Sequence, residues 1–451
     1  MKNQIKFVSL VIGLLILFSF MLSSCVQTTV GVVSAEINKN GELILTYGDG
    51  TEQNVGTVVG KDGKNGANGK KGANGQNGVD GADGSLIITS DGSSISAASA
   101  KGLRSAVSIV CKFMANVSYG GWGPNSGSAT TKEYASAGSG VIYRMDKAEG
   151  DAFIITNYHV VYDVSSNTEN GISNDISVYL YGSEIKGKAI EATYVGGSLY
   201  YDIAVLRVED SEVLKESSAC AVEVADSDEV AVGNGAIAIG NAQGLGLSST
   251  AGIVSVDSEY ITMTAADGKT TVSFRVMRVD TAVNSGNSGG GLYDDSGNLI
   301  GIVNAKIVYD GVENIGYAIP SNVAVSIAEN IMDYCYGTAT QRVQRAVLGI
   351  TVSASDSKAV YDSKTGKISI KETVSVHEIL SGSLVDGVLQ VNDVLVSATV
   401  NDQTVDITRQ YHMIDLMLDV RVGDCITLNI LRDGEEKTVS VTITQECLTE
   451  Y

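Results

Sequence analysis

From about Gly102 to about Ile319 the chain is cut into short apolar runs by Gly, Asn and Asp. GSGVIYRM, AFIITNYHVV, ISVYLYG, DIAVLRV, GAIAIGN and LIGIVNA read as strands of about five to eight residues. Many short strands with turns between them make a β-barrel or a sandwich, so a mainly β fold is expected. Ser321 to Tyr334 then has helical spacing, with Val325, Ile327, Ala328 and Ile331 on the apolar side, and should pack on the barrel. After Arg345 a third unit begins, with VLGITV, LVDGVLQVNDVLVSATV, a helix expected at Ile407 to Val420, and CITLNILRDGEEKTVSVTI turning at Asp433-Gly434. Strands with one or two helices make a small α+β domain. At 451 residues, 44% hydrophobic and 18% charged, the chain is long and apolar enough for two or three domains.

The first hundred residues are built differently. Lys2 and Lys6 precede an apolar stretch from Phe7 to Leu22, closed by Leu22-Ser23-Ser24-Cys25. About 16 apolar residues are short for a membrane-spanning helix and suit a secretory signal. Small residues before a cysteine resemble the bacterial lipobox, which implies lipidation of Cys25 and a mature chain starting there; the plain alternative is a signal peptide with an incidental cysteine. Val32 to Val59 alternates apolar and polar residues around Asn40-Gly41 and Asp49-Gly50, and residues 25–59 read as a small β-hairpin module. From Gly60 to Gly84 glycine falls at every third position, the period a collagen triple helix demands. No proline supports it, and a flexible spacer accounts for it as well. Either way residues 60–100 form a stalk and linker.

The chain has three histidines, His159, His377 and His412. Their scarcity narrows the chemistry. Serine is a weak nucleophile until a base takes its proton, histidine is the natural base at neutral pH, and a carboxylate must orient the imidazole. Ser288 sits among glycines in Val283-Asn284-Ser285-Gly286-Asn287-Ser288-Gly289-Gly290-Gly291-Leu292. G-x-S-x-G also describes the nucleophile elbow of α/β-hydrolases, but an elbow leads into a helix and its histidine comes last. Here Ser288 is followed by a strand, a turn and a strand, and His159 comes first. Asp202 leads directly into a buried strand, where a bare carboxylate is expensive. The order His159, Asp202, Ser288, at spacings of 43 and then 86 positions, is that of the chymotrypsin-like double barrel. Each residue alone has a bland reading: a turn serine, a core histidine, a capping aspartate.

ITNYHVV, YDIAVL, AIGNAQGLGLSSTAGIVS, DTAVNSGNSGGGL and NIGYAIPSN together resemble the HtrA (Deg) family of trypsin-like serine proteases. VLGITV, LVDGVLQVNDVL and LRDGEEKTVSVTI resemble the PDZ domain that follows the protease there. The resemblance covers about residues 102 to 446. It implies a protease domain at 101–345 and a PDZ domain at 346–451, after a signal at 1–24. It assigns His159 as base and then acid, Asp202 as its orienter, Ser288 as nucleophile, and the amides of Gly286 and Ser288 as the oxyanion hole. Ala282, six residues before the nucleophile, would form the base of the substrate pocket and favour aliphatic side chains, with Lys306 on the far wall. Val347-Leu348-Gly349-Ile350 would bind a peptide C-terminus through free amides. Met413 and Met417 would line that pocket or fill the core. Ser285 and Ala242 stand where the family often has proline.

The resemblance further implies cleavage of unfolded or damaged polypeptides, no cofactor or metal, and a homotrimer, which a triple-helical stalk would also require. With the lipobox, the site of action would be the extracytoplasmic face of the bacterial cell envelope. A net charge of −21 argues against a nucleic-acid partner. Two other classes remain: a catalytically silent binding or chaperone protein, and a surface adhesin working through its stalk. The five cysteines after Cys25 lack metal-ligand spacing and are expected as small buried hydrophobes, with one or two disulfides as the alternative.

Overall fold

The computed structural model describes residues 32–40, 42–57, 94–118, 129–183, 188–305 and 315–450. The expectations for Cys25, the Gly-x-y segment and Lys306 fall outside these residues. The N-terminal unit contains β1 (Val32–Ile37), β2 (Glu42–Tyr47) and β3 (Glu52–Thr57), an antiparallel sheet in that order. It has one strand more than a hairpin, because the chain turns at Lys39-Asn40 as well as at Asp49-Gly50. Asp49 Oδ1 accepts the Thr51 amide at 2.9 Å and Gly50 takes φ +83°.

The second unit opens with α1 (Ser94–Leu103), which corrects the linker expected to run to Ala100. Three alanines favour the helix, and tertiary contacts hold it. Ala98 is buried, Lys101 Nζ donates to Glu223 Oε2 at 2.8 Å and Asn298 Oδ1 at 2.7 Å, and Gly102 lies against Ile239 and Tyr293.

Two closed six-stranded barrels follow. The first holds β4 (Ala106–Ser118), β5 (Ala129–Asp146), β6 (Asp151–Thr156), β7 (Asp175–Leu180), β8 (Ile190–Ser198) and β9 (Ile203–Val208), with α2 (Tyr158–Val161) between β6 and β7 and α3 (Glu212–Glu216) after β9. The second holds β10 (Gly235–Gly240), β11 (Ser248–Thr264), β12 (Thr271–Val279), β13 (Gly291–Tyr293), β14 (Leu299–Val303) and β15 (Gly316–Pro320). Their orders, β4-β5-β6-β9-β8-β7 and β10-β11-β12-β15-β14-β13, are the same permutation. This is the chymotrypsin-like architecture. Alternation marks strands with one wet face: in β7, Ile176, Val178 and Leu180 are buried while Asp175 is exposed. β14 is buried throughout, because α4 (Ser321–Tyr334) covers its outer side. The helix buries Val323, Ala324, Ile327, Ala328 and Ile331; Val325 is half-buried, so the apolar stripe is rotated from the one expected.

The C-terminal part adds β16 (Gln344–Ala346), β17 (Ile350–Tyr361), β18 (Ile368–Ile379), β19 (Val394–Val400), β20 (Gln403–Asp406), α5 (Gln410–Asp419), β21 (Cys425–Arg432), β22 (Glu435–Thr442) and β23 (Leu448–Glu450). The main sheet runs β17-β18-β19-β21-β22. Arg432 pairs with Glu435 across two residues with positive φ, Asp433 at +55° and Gly434 at +83°, the geometry that matches strand twist. Met413 and Met417 are buried in this part's core. α5 packs on α4, and a buried ion cluster joins it to the second barrel. In that cluster Arg275 of β12 meets Asp228 at 2.8 Å and Asp415 at 3.2 Å, with its guanidinium 3.9 Å from the Tyr411 ring centroid. Cys111 and Cys335 are buried as expected, Cys220 and Cys447 half-buried, and Cys425 exposed; all five are free thiols.

Candidate active site

The expected strand through AFIITNYHVV ends at Thr156, and His159 stands instead on the short helix α2. Asp202 is the reason. It adopts φ +55°, which Asp tolerates better than most residues. In that conformation both its carbonyl and its carboxylate face the incoming chain. The carbonyl accepts from Tyr158 N at 3.2 Å and Asn157 Nδ2 at 2.8 Å. Oδ1 accepts from the His159 amide at 2.9 Å, and Oδ2 lies 2.6 Å from His159 Nδ1. Val160 and Val161 anchor the far end of the helix, and Gly138 leaves the room Val160 needs, since a Cβ there would lie 2.6 Å from it. Burial pushes the neighbouring Tyr158 phenol up to about 12, so it stays neutral.

Ser288 belongs to the other barrel, on the turn between β12 and β13. Ser139 of β5 stitches that turn to the first barrel. Its amide donates to Ser288 O at 2.9 Å, its Oγ donates to Gly286 O at 2.7 Å, and the same Oγ accepts from Asn241 N at 2.7 Å. Gly286 takes φ +96° and Gly289 φ +82°. A Cβ on Gly289 would lie 2.2 Å from Ser139 O and 2.3 Å from Thr156 Oγ1. Among the described residues no carbonyl accepts from the amides of Gly286 or Ser288.

Two consecutive residues after β14 connect the parts. Asn304 Nδ2 donates to Asp202 Oδ2 at 2.8 Å, and the Ala305 amide donates to Ser288 Oγ at 3.3 Å. Ser139 and Asn304 were not singled out in the sequence. Asn304 is fully buried with a carboxylate partner 102 residues away, and no local pattern marks it. Of the expected residues, half-buried His159 pairs directly with Asp202, and Ser288 is linked to Asp202 through the consecutive Asn304 and Ala305, while His377 lies on β18 and His412 on α5. Ala282 is exposed, and its carbonyl accepts from Thr250 Oγ1 at 3.0 Å. In the C-terminal part Gly349 has φ +78° and Leu348 is buried. The Val347 amide is not free as expected: it donates to Cys447 O at 2.8 Å.

Residues 138–302 match the model of the trypsin-like peptidase domain. The chain is 33% identical over 337 residues to the serine protease Do-like HtrA of Lactococcus lactis, covering 72% of this chain and 75% of that one. The chain belongs to the HtrA family of serine endopeptidases. The HtrA of Bacillus subtilis is 31% identical over 72% of this chain and 67% of its own. The periplasmic serine endoprotease DegP of Escherichia coli is 30% identical over 72% and 60%. HtrA membership gives the double barrel an activity, and the network around Asp202 is where that activity is to be sought.

Proposed function

We propose that this chain is an extracytoplasmic endopeptidase that hydrolyses unfolded or damaged polypeptides through His159, Asp202 and Ser288. The observation that carries the reading is the pair Asn304-Ala305, which binds Asp202 with one residue and Ser288 with the next. Asp202 fixes the proton on His159 Nδ1 and leaves Nε2 as the base. Nε2 takes the Ser288 proton as Oγ attacks the substrate carbonyl, and the oxyanion is received by the N–H groups of Gly286 and Ser288. The imidazolium then protonates the leaving amine. Water, activated by the same imidazole, hydrolyses the acyl-serine. Ala282 forms the base of the pocket for an aliphatic side chain. Residues 346–451 act as a PDZ domain for peptide C-termini, with the loop Val347–Ile350 at the head of edge strand β17. Lipidated Cys25 anchors the chain, and the assembly is a homotrimer. No cofactor enters the scheme.

A second reading, a silent binding protein on the same scaffold, is favoured by one detail. Ser288 Oγ accepts from Ala305, and among the described residues it makes no hydrogen bond to His159. Cleavage of fluorescein-casein by wild type and by Ser288→Ala separates the two. Loss of cleavage in the variant supports the nucleophile; equal cleavage rejects it, and no cleavage by either supports the binder. Palmitate labelling of wild type and Cys25→Ala tests the anchor.

A further inference from the structure

β17 pairs with β18 on one side only, and α5 lies along its other edge. On that side the Val352 carbonyl accepts a hydrogen bond of 2.9 Å from Gln410 Nε2. Gln410 is the first residue of α5 and is held in place there. Its amide donates to Glu372 Oε2 on β18 at 3.0 Å, and the Glu372 amide donates to Thr408 O at 2.8 Å. The preceding residue, Arg409, lies 3.9 Å from Glu372 and 3.6 Å from Asp257 of β11. The start of the helix is therefore fastened to the sheet and to the second barrel, with the Gln410 side chain spanning the gap between α5 and β17.

A peptide that joins a sheet as an extra strand donates its N–H groups to the outward carbonyls of the edge. Val352 is the third residue after Gly349, within the stretch such a peptide would follow from the carboxylate loop. We propose that Gln410 is a bolt across the peptide groove: it occupies the Val352 carbonyl that an incoming strand needs, so the groove is closed until Gln410 lets go. The inference rests on the reading of residues 346–451 as a PDZ domain. The bolt competes with peptide by about one neutral hydrogen bond, which corresponds to roughly threefold to tenfold in affinity.

The test uses the full chain carrying Ser288→Ala, so that peptide is not consumed. Fluorescein-labelled heptapeptides Ser-Gly-Ser-Gly-Ala-Val-Xaa, with Val, Leu or Phe last, are titrated by anisotropy as free acids and as C-terminal amides. Adding Gln410→Ala should tighten free-acid binding about threefold to tenfold. Gln410→Glu, which cannot donate to Val352, should do the same, and the amides should bind weakly throughout. Near-UV circular dichroism and the melting temperature check that both variants fold. Equal or weaker binding by both variants, with the parent binding, overturns the bolt and leaves the PDZ reading standing. Absence of saturable free-acid binding in all three proteins overturns the PDZ reading and the bolt with it.

Discussion

Gly286→Ala tests the oxyanion assignment most directly. At φ +96° an L-residue is strained by about 1–2 kcal/mol, and the new Cβ would lie 2.2 Å from Asn241 O and 2.9 Å from Gln243 N. Those atoms cannot retreat easily. Gln243 N donates to Ser285 O at 2.7 Å, and Ser139 Oγ holds both Gly286 O and Asn241 N at 2.7 Å. The methyl must therefore move the Gly286 peptide itself. Loss of one of two oxyanion donors costs about 100- to 1000-fold in kcat. KM should change less than about threefold, because the ground-state carbonyl gains little from that donor. Gly387→Ala is the control: φ is +79° there too, yet nothing lies within 4 Å of the new Cβ. It should lower the melting temperature by about 2–8 °C and leave kcat unchanged. Initial rates on fluorescein-casein and thermal melts of both variants decide the matter. If Gly286→Ala keeps kcat within about threefold of wild type, the donor lies elsewhere and the assignment is wrong.

Asn304→Ala removes a hydrogen bond to a buried carboxylate, an interaction of about 1.5–3 kcal/mol, and should lower kcat by about 10- to 100-fold; an unchanged rate would show that Asp202 needs no second anchor. Burial raises the Asp415 carboxyl to about 7 in spite of Arg275 beside it. Between about pH 4 and pH 7 the folded chain therefore binds more protons than the unfolded one, and stability falls as pH rises through this window. Asp415→Asn does not titrate, so its unfolding free energy from urea titrations should gain on wild type from pH 4 to pH 7, by at most about 4 kcal/mol, and level off above; parallel curves would refute the shifted carboxyl. Gly102→Ala drives a methyl to 2.6 Å from Ile239 Cδ1 and should destabilise by about 1–3 kcal/mol, read as faster hydrogen exchange across residues 94–103 with kcat largely kept.

What the sequence disclosed was local. About half of the barrel strands, among them those of ISVYLYG, DIAVLRV, GAIAIGN and LIGIVNA, the helix at Ser321–Tyr334 and the turn at Asp433-Gly434 follow from periodicity and turn chemistry within a few residues. His159, Asp202 and Ser288 could be proposed together because few histidines compete and their order differs from that of the hydrolase elbow. What stayed hidden depends on distant partners. The strand through AFIITNYHVV breaks at Asn157 because Asp202, far along the chain, binds the next turn. The Ser/Ala-rich segment before Gly102 reads as spacer, and becomes helix α1 because Ala98 and Gly102 have a barrel to lie against. Ser139 looks like any strand serine until its partners 102 and 147 residues away are known.

The same strand end that secures Asp202 and Ser288 also sets a timetable. His159 and Asp202 are synthesised with the first barrel, Ser288 comes later, and Asn304-Ala305 later still. Under the proposed mechanism, a chain halted short of Asn304 holds a base without its nucleophile, or a nucleophile that the Ala305 amide has not yet met. Cleavage by the proposed mechanism would thus arrive only after both barrels have been made and have closed on one another.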